Sequence, residues 1–69
     1  MNTKTGKVKM FNQVKGHGFI VPDEGGQDVF VHYTNVDGKK RNALNEGDSV
    51  SYEVTETNKG PAALSVARR

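Results

Sequence analysis

Residues branched at Cβ dominate the apolar part of this chain. Nine valines and five threonines stand against only two leucines. Such side chains lose less conformational freedom in an extended backbone than in a helix. No window of the sequence repeats apolar residues at helical spacing over three turns. The sequence therefore predicts a succession of strands and no long helix.

Turn signals separate these extended stretches. Glycine, proline, acidic and amide residues cluster at 23–26 and 58–61, which favours turns at both places. The stretch 34–47 is polar, and it is expected to carry only a short helical turn. The expected strands cover residues 4–12, 17–22, 28–33, 49–56 and 62–67.

The length of 69 residues leaves room for one small domain, taken here as 1–69. Five short strands are too few for a two-sheet sandwich of useful depth, but they can curl into one small barrel, which removes exposed sheet edges. The valines, Ile20 and Leu64 are expected to fill this barrel. Met10 and Phe11 place two large side chains in succession, which favours a bulge or a twist in the first strand.

Several classes of protein are excluded by residues that the sequence lacks. The absence of cysteine excludes disulfide scaffolds, zinc ribbons and thiol nucleophiles, and it favours a reducing, cytoplasmic setting. The longest apolar run is three residues, too short for a membrane span. His17 and His32 could in principle pair on a metal, but there is no third ligand near them. We expect no enzyme, no metal site and no cofactor.

Charge is segregated along the chain although the net charge is only +2. Residues 1–22 hold four lysines and no acid, whereas residues 23–28 hold three acids and no base. A basic stretch is where a polyanion would bind. Charge alone, however, favours an ordinary solvated surface over a binding site.

The alternation in the first three strands leaves aromatic and imidazole rings on the outside of the barrel. Three of the five aromatic residues would face water there, which is wasteful unless that face binds a ligand. Rings interleaved with lysines suit single-stranded nucleic acid, because bases stack on rings and ammonium groups follow phosphates. The outward rings are those of Phe11, His17, Phe19, Phe30 and His32, and the nearby lysines are Lys7, Lys9 and Lys15.

Five segments of the sequence, in order, resemble motifs of the bacterial cold-shock proteins. Residues 15–20 and 29–33 resemble the two RNA-binding motifs of that family, and residues 6–12 resemble its opening strand. The turn at 44–47 and the Gly-Pro loop at 59–63 are similar to further family motifs. The resemblance is collinear from about residue 5 to residue 66, which makes it far more specific than any single motif.

This resemblance implies a five-stranded antiparallel β-barrel of the oligonucleotide-binding (OB-fold) type. It also implies a protein that binds single-stranded RNA and DNA with little sequence specificity, acting as an RNA chaperone or transcription antiterminator in cold or stress adaptation. A closed barrel with a polar exterior argues for a monomer. By position, Phe19, Phe30, His32 and Tyr33 would stack on bases. The other residues assigned to the binding surface are Lys7, Lys9, Met10, Phe11, Asn12, Lys15, His17, Arg41, Lys59 and Pro61.

The sequence departs from the family pattern where aromatic residues usually stand. Met10 replaces a tryptophan, His17 replaces a phenylalanine or tyrosine, and Arg41 stands near another common aromatic position. Alternation alone would turn Met10 inward with Val8, whereas the resemblance places it on the binding face. Weaker binding than usual is therefore expected. The alternative is a barrel that has become a protein-interaction or regulatory module.

Overall fold

Five strands and one 3-10 turn form the secondary structure of the chain. The computed structural model describes residues 3–40 and 42–69. Each expected strand is confirmed, with ends that differ by no more than two residues from the expected ones, and the short helical turn is confirmed at Tyr33–Asn35. The strands are β1 (Thr3–Asn12), β2 (His17–Pro22), β3 (Val29–His32), β4 (Ser49–Thr57) and β5 (Gly60–Arg68).

The strands close into a barrel in the order β1-β2-β3-β5-β4. Four neighbouring pairs are antiparallel, whereas β3 and β5 run parallel. The expected five-stranded β-barrel is thus confirmed, with one parallel pair among its antiparallel ones. A ring with an odd number of strands cannot alternate direction all the way round, so at least one pair must be parallel. Within the described ranges, no helix is long and apolar enough to cross a membrane.

The barrel interior is filled mainly by valines, together with Ile20, Leu44 and Tyr52. Leu64 was expected inside, but 36% of it is exposed. Ser65 takes a left-handed backbone conformation (φ 52°) beside a register shift between β4 and β5, so the alternation of β5 is interrupted there. Ala63 and Val66 then face inward instead. Three valines also lie outside the core: Val14, Val21 and Val54.

A bulge in β1 decides which of its large side chains face outward. The register with β2 shifts between Val8 and Met10, leaving Lys9 as the extra residue. Val8 is buried, while Met10 is 38% exposed. Phe11, expected to face water, is half-buried and packs against the core. The expected bulge is thus present, and it reverses the faces that simple alternation assigns to Met10 and Phe11.

Candidate nucleic-acid interface

Three exposed side chains lie in a row across the outer face of β1, β2 and β3. Met10 is the register partner of Phe19, and Phe19 is the register partner of Phe30. Between 37% and 39% of each of these residues is exposed. Because neighbouring strands lie about 4.8 Å apart, the row extends over roughly 10 Å. The ring centroids of Phe19 and Phe30 are 5.8 Å apart, in an edge-on arrangement.

A second, more polar row runs beside the first. Asn12, His17 and His32 are register partners across the same three strands. The His17 ring lies 5.7 Å from the Phe30 ring and is tilted by 35°, so the two rows are in contact. We call these six residues the outer platform: Met10, Asn12, His17, Phe19, Phe30 and His32.

The edge of the platform next to β5 is a groove of about 470 Å³. The parallel pairing of Phe30 with Ala62 brings the end of the chain beside β3. Lys59 and Pro61 thereby line the groove beside the platform, although they are about 30 residues from Phe30 in the sequence. The residues lining the groove are Phe19, Phe30, His32, Asn35, Thr57, Lys59, Pro61, Ala62 and Ala63.

Four of the lining residues were not selected from the sequence. Asn35, Thr57, Ala62 and Ala63 lack the aromatic or cationic character that marks a nucleic-acid contact. The signal that could have found them is strand register. Ala62 follows from its pairing with Phe30, and Thr57 ends the strand that pairs with β5.

Some of the lysines form ion pairs with carboxylates, and others do not. The Lys9 Nζ atom lies 3.0 Å from an Asp28 carboxylate oxygen, and the Lys4 Nζ atom lies 2.9 Å from Glu24. The basic and acidic stretches that are separate in the sequence therefore meet in space. Lys7, Lys15 and Lys59 are exposed and lie in no ion pair with another residue of the described ranges.

Asn12 shapes the turn between β1 and β2. Its side-chain oxygen accepts hydrogen bonds from the backbone N–H groups of Val14 and Lys15, each at 3.0 Å. These bonds order the turn that carries Lys15 at the end of the polar row. Asn12 is half-buried, and its main role is to fix the backbone of this turn.

Two further residues assigned from the sequence are Tyr33 and Arg41. Tyr33 is half-buried in the 3-10 turn, and its ring centroid lies 4.8 Å from that of His32. It extends the polar row beyond β3. Arg41 lies outside the described residues.

Comparison with known proteins agrees with this geometry. Residues 4–69 match the family model described as the 'Cold-shock' DNA-binding domain. Cold shock protein CspD of Bacillus subtilis (strain 168) is 51% identical over 94% of this chain and 97% of its own length. Cold shock-like protein CspG of Escherichia coli (strain K12) is 46% identical, covering 94% of this chain and 93% of that protein.

A solved structure supports the same fold. The structure titled drosophila Unr CSD456 superimposes with a TM-score of 0.80 at 20% identity, covering 99% of this chain and 27% of that one. At this identity the likeness speaks for the barrel alone. The family match and the two bacterial relatives, together with the platform of exposed rings, place the chain in the cold-shock domain family, a family of nucleic-acid-binding proteins.

Proposed function

We propose that this protein binds single-stranded RNA and DNA with low sequence specificity. The observation that carries the proposal is the row of Met10, Phe19 and Phe30 on the outside of the barrel. Apolar side chains in a soluble protein are normally buried, and a continuous exposed row is best explained by a ligand that covers it. Bases supply such a cover, since each base has a flat apolar face.

The exposed lysines fit the phosphates of such a strand. Lys7, Lys15 and Lys59 stand around the platform without a carboxylate partner in the described part of the chain. Ammonium groups so placed can follow phosphates without reading the sequence. Binding is therefore expected to weaken as salt rises, with a slope of about −0.7 in log affinity against log salt per phosphate contact.

The geometry favours unpaired strands over duplexes. In a duplex the bases are stacked on each other and paired, so their faces are not free to lie on Phe19 and Phe30. A protein that binds only the unpaired strand shifts the equilibrium of a weak RNA helix toward its open form by mass action. An RNA chaperone and a transcription antiterminator can both work in this way, and neither role requires catalytic chemistry. In this proposal, residues 1–69 form a single domain acting as a monomer in the cytoplasm.

The replaced aromatic positions set the expected strength of binding. Met10 lies in the apolar row and His17 touches the Phe30 ring, so both can still pack against a base. Each offers less apolar surface than a tryptophan or a phenylalanine. We therefore expect micromolar binding rather than loss of binding. Phe11 would support the platform from the core side. Arg41 is assigned by resemblance alone.

The test is fluorescence anisotropy of a labelled single-stranded pyrimidine oligonucleotide, at low and at moderate salt. The label goes on the nucleic acid because the protein has no tryptophan. The double variant Phe19→Ala/Phe30→Ala should bind at least about 25-fold more weakly, since each stacked base contributes about 1–3 kcal/mol. A duplex of equal length should bind more weakly than the single strand.

Val54→Ala is the matched control variant. Val54 is 37% exposed, as Phe30 is, but it lies on β4, a strand that contributes no residue to the outer platform. It should leave affinity unchanged, and circular dichroism should show all variants folded. If the unaltered protein binds no strand even at low salt, the proposal is wrong, and a protein-interaction or regulatory module becomes the better description.

A further inference from the structure

His32 is held at one of its two ring nitrogens by Thr34. The backbone N–H of Thr34 donates to His32 Nδ1 at 3.3 Å, and the Thr34 hydroxyl oxygen lies 2.8 Å from the same atom. His32 is the N-cap of the 3-10 turn, so this contact belongs to the way the turn begins. The ring is thereby fixed where β3 ends.

The contact determines which nitrogen carries the proton in the neutral ring. A backbone N–H can only donate, so the Nδ1 atom that it faces must offer a lone pair. The Thr34 hydroxyl can rotate to donate to the same atom. The neutral imidazole then carries its hydrogen on Nε2.

The Nε2–H group is the remaining polar group of the ring. His32 lines the groove with Phe30 and Lys59, and no hydrogen bond joins Nε2 to another residue of 3–40 or 42–69. Tyr33 packs near the ring at 4.8 Å. The ring thus offers one fixed hydrogen-bond donor at the platform.

His17 provides an internal contrast. It is the register partner of His32, but its Nδ1 atom is buried and has no hydrogen-bond partner in the described structure. Nothing there selects a tautomer. Two histidines that look equivalent in the platform therefore differ in chemistry.

We propose that Thr34 is a positioning residue for nucleic-acid binding. It holds His32 in the Nε2–H form, so that the ring donates to an acceptor oxygen of the bound strand, either a base carbonyl or a phosphate. This inference rests on the proposed function, and it adds a directional hydrogen bond to a surface otherwise built from stacking and charge. The bond contributes a modest factor, about three- to tenfold in affinity.

The first test is the tautomer itself, measured on the free protein. Nitrogen chemical shifts of the histidine side chains, recorded above neutral pH, should show His32 unprotonated at Nδ1 and protonated at Nε2. Thr34→Val keeps the backbone N–H at 3.3 Å but removes the hydroxyl, which is the shorter of the two contacts to Nδ1 at 2.8 Å, so the Nδ1 shift should move or broaden. Thr34→Ser keeps the hydroxyl and should restore it. A proton found on Nδ1 of His32 would overturn the inference.

The second test is a double-mutant cycle on binding to a thymidine tract. Thr34→Val should weaken binding by about threefold to tenfold in the natural background. In a His32→Phe background, which keeps a ring but has no donor, Thr34→Val should have no further effect. An equal loss in both backgrounds would show that Thr34 acts without His32 and would refute the assignment.

An abasic tract of the same length, used at low salt, identifies the acceptor. A loss on Thr34→Val that is confined to the thymidine tract indicates a base carbonyl, and a loss on both tracts indicates a phosphate oxygen. No loss on either tract contradicts the inference. If His32 has the expected tautomer but the unaltered protein binds no strand, the proposed function itself fails and the donor role fails with it.

Discussion

Lys9 and Asp28 form an ion pair at the edge of the platform, with 3.0 Å between Nζ and the carboxylate oxygen. Both side chains are partly exposed, at 58% and 36%, so the pair is worth at most about 1 kcal/mol. Because this ion pair is weak, a phosphate can compete with Asp28 for Lys9. The Asp28 carboxylate would also repel a phosphate that approaches. The pair therefore lowers the charge that the platform offers to a strand.

Asp28→Asn should strengthen binding by freeing Lys9. We expect a few-fold gain in affinity at low salt, and a salt slope steeper by about 0.7, which corresponds to one more phosphate contact on a single strand. Anisotropy titrations over a range of salt concentrations measure both. Glu24→Gln changes the net charge equally and breaks the Lys4 pair, five residues from Lys9 along β1. Equal gains in the two variants would show that net charge alone is responsible.

At the scale of single strands, the bulge in β1 separates the core from the binding surface. It turns Val8 inward and Met10 outward within three residues. Gly18 is the register partner of Phe11 just beyond the bulge. A Cβ at Gly18 would overlap the Met10 carbonyl oxygen and the Phe11 Cα atom, both backbone atoms. The close approach of β1 and β2 thus depends on a residue without a side chain.

Gly18→Ala should destabilise the barrel strongly. The overlap is with backbone, which cannot rotate away, so the strands must separate at a cost of about 3 kcal/mol or more. Thermal or urea unfolding measures the loss. Gly26→Ala is the matched control, because a Cβ there meets open space and only the left-handed backbone (φ 100°) is penalised, by about 1–2 kcal/mol. Equal losses would show that β1 and β2 can shift apart cheaply.

The strands were predictable from sequence because turn residues and β-branched residues act locally. The face of each side chain was predictable only where alternation is unbroken, as at Val29 and Val31 in β3. It failed for Phe11 and Leu64, since each lies beside a bulge, and a bulge depends on a partner strand that the local sequence does not specify. Leu44 entered the core from a polar stretch for a similar reason: its place depends on tertiary packing.

The candidate site, too, was only partly predictable from the sequence. Phe19 and Phe30 follow from alternation alone and lie side by side as expected. The Lys9–Asp28 ion pair does not follow, because it needs the register between β1 and the start of β3. The contact between Thr34 and His32 depends on how the 3-10 turn begins, which composition does not reveal. The rings of the site thus follow from the sequence, whereas the contacts made by their neighbours depend on strand register and on the start of the 3-10 turn.

At the scale of the whole molecule, the largest fully buried side chain among the described residues carries an unsatisfied hydroxyl. Tyr52 is 1% exposed, and its hydroxyl has no hydrogen-bond partner in the described structure. Burial, and then the nearby charges of Glu24 and Asp23, raise the pKa of the Tyr52 hydroxyl above its usual value. The ring fills the barrel, while the hydroxyl is taken from water without a new partner, at a cost of about 1–3 kcal/mol.

Tyr52→Phe should therefore leave the barrel as stable at neutral pH, or more stable by about 1 kcal/mol, because it keeps the ring and removes the unsatisfied hydroxyl. The raised pKa fixes the sign of the pH dependence. Stability from this group is fully present below the pKa of an unfolded tyrosine, about 10, and is lost as pH rises toward the higher folded value.

Urea unfolding at neutral pH and again above pH 10 measures both effects. The natural protein should lose stability on the alkaline side, and Tyr52→Phe should lose less. Tyr33→Phe is the matched control: it removes the chain's other tyrosine hydroxyl, outside the barrel core, and should keep the alkaline loss. A loss of more than about 1 kcal/mol in Tyr52→Phe at neutral pH would mean that the hydroxyl has a hydrogen-bond partner in solution, a bound water for example, that outweighs its burial.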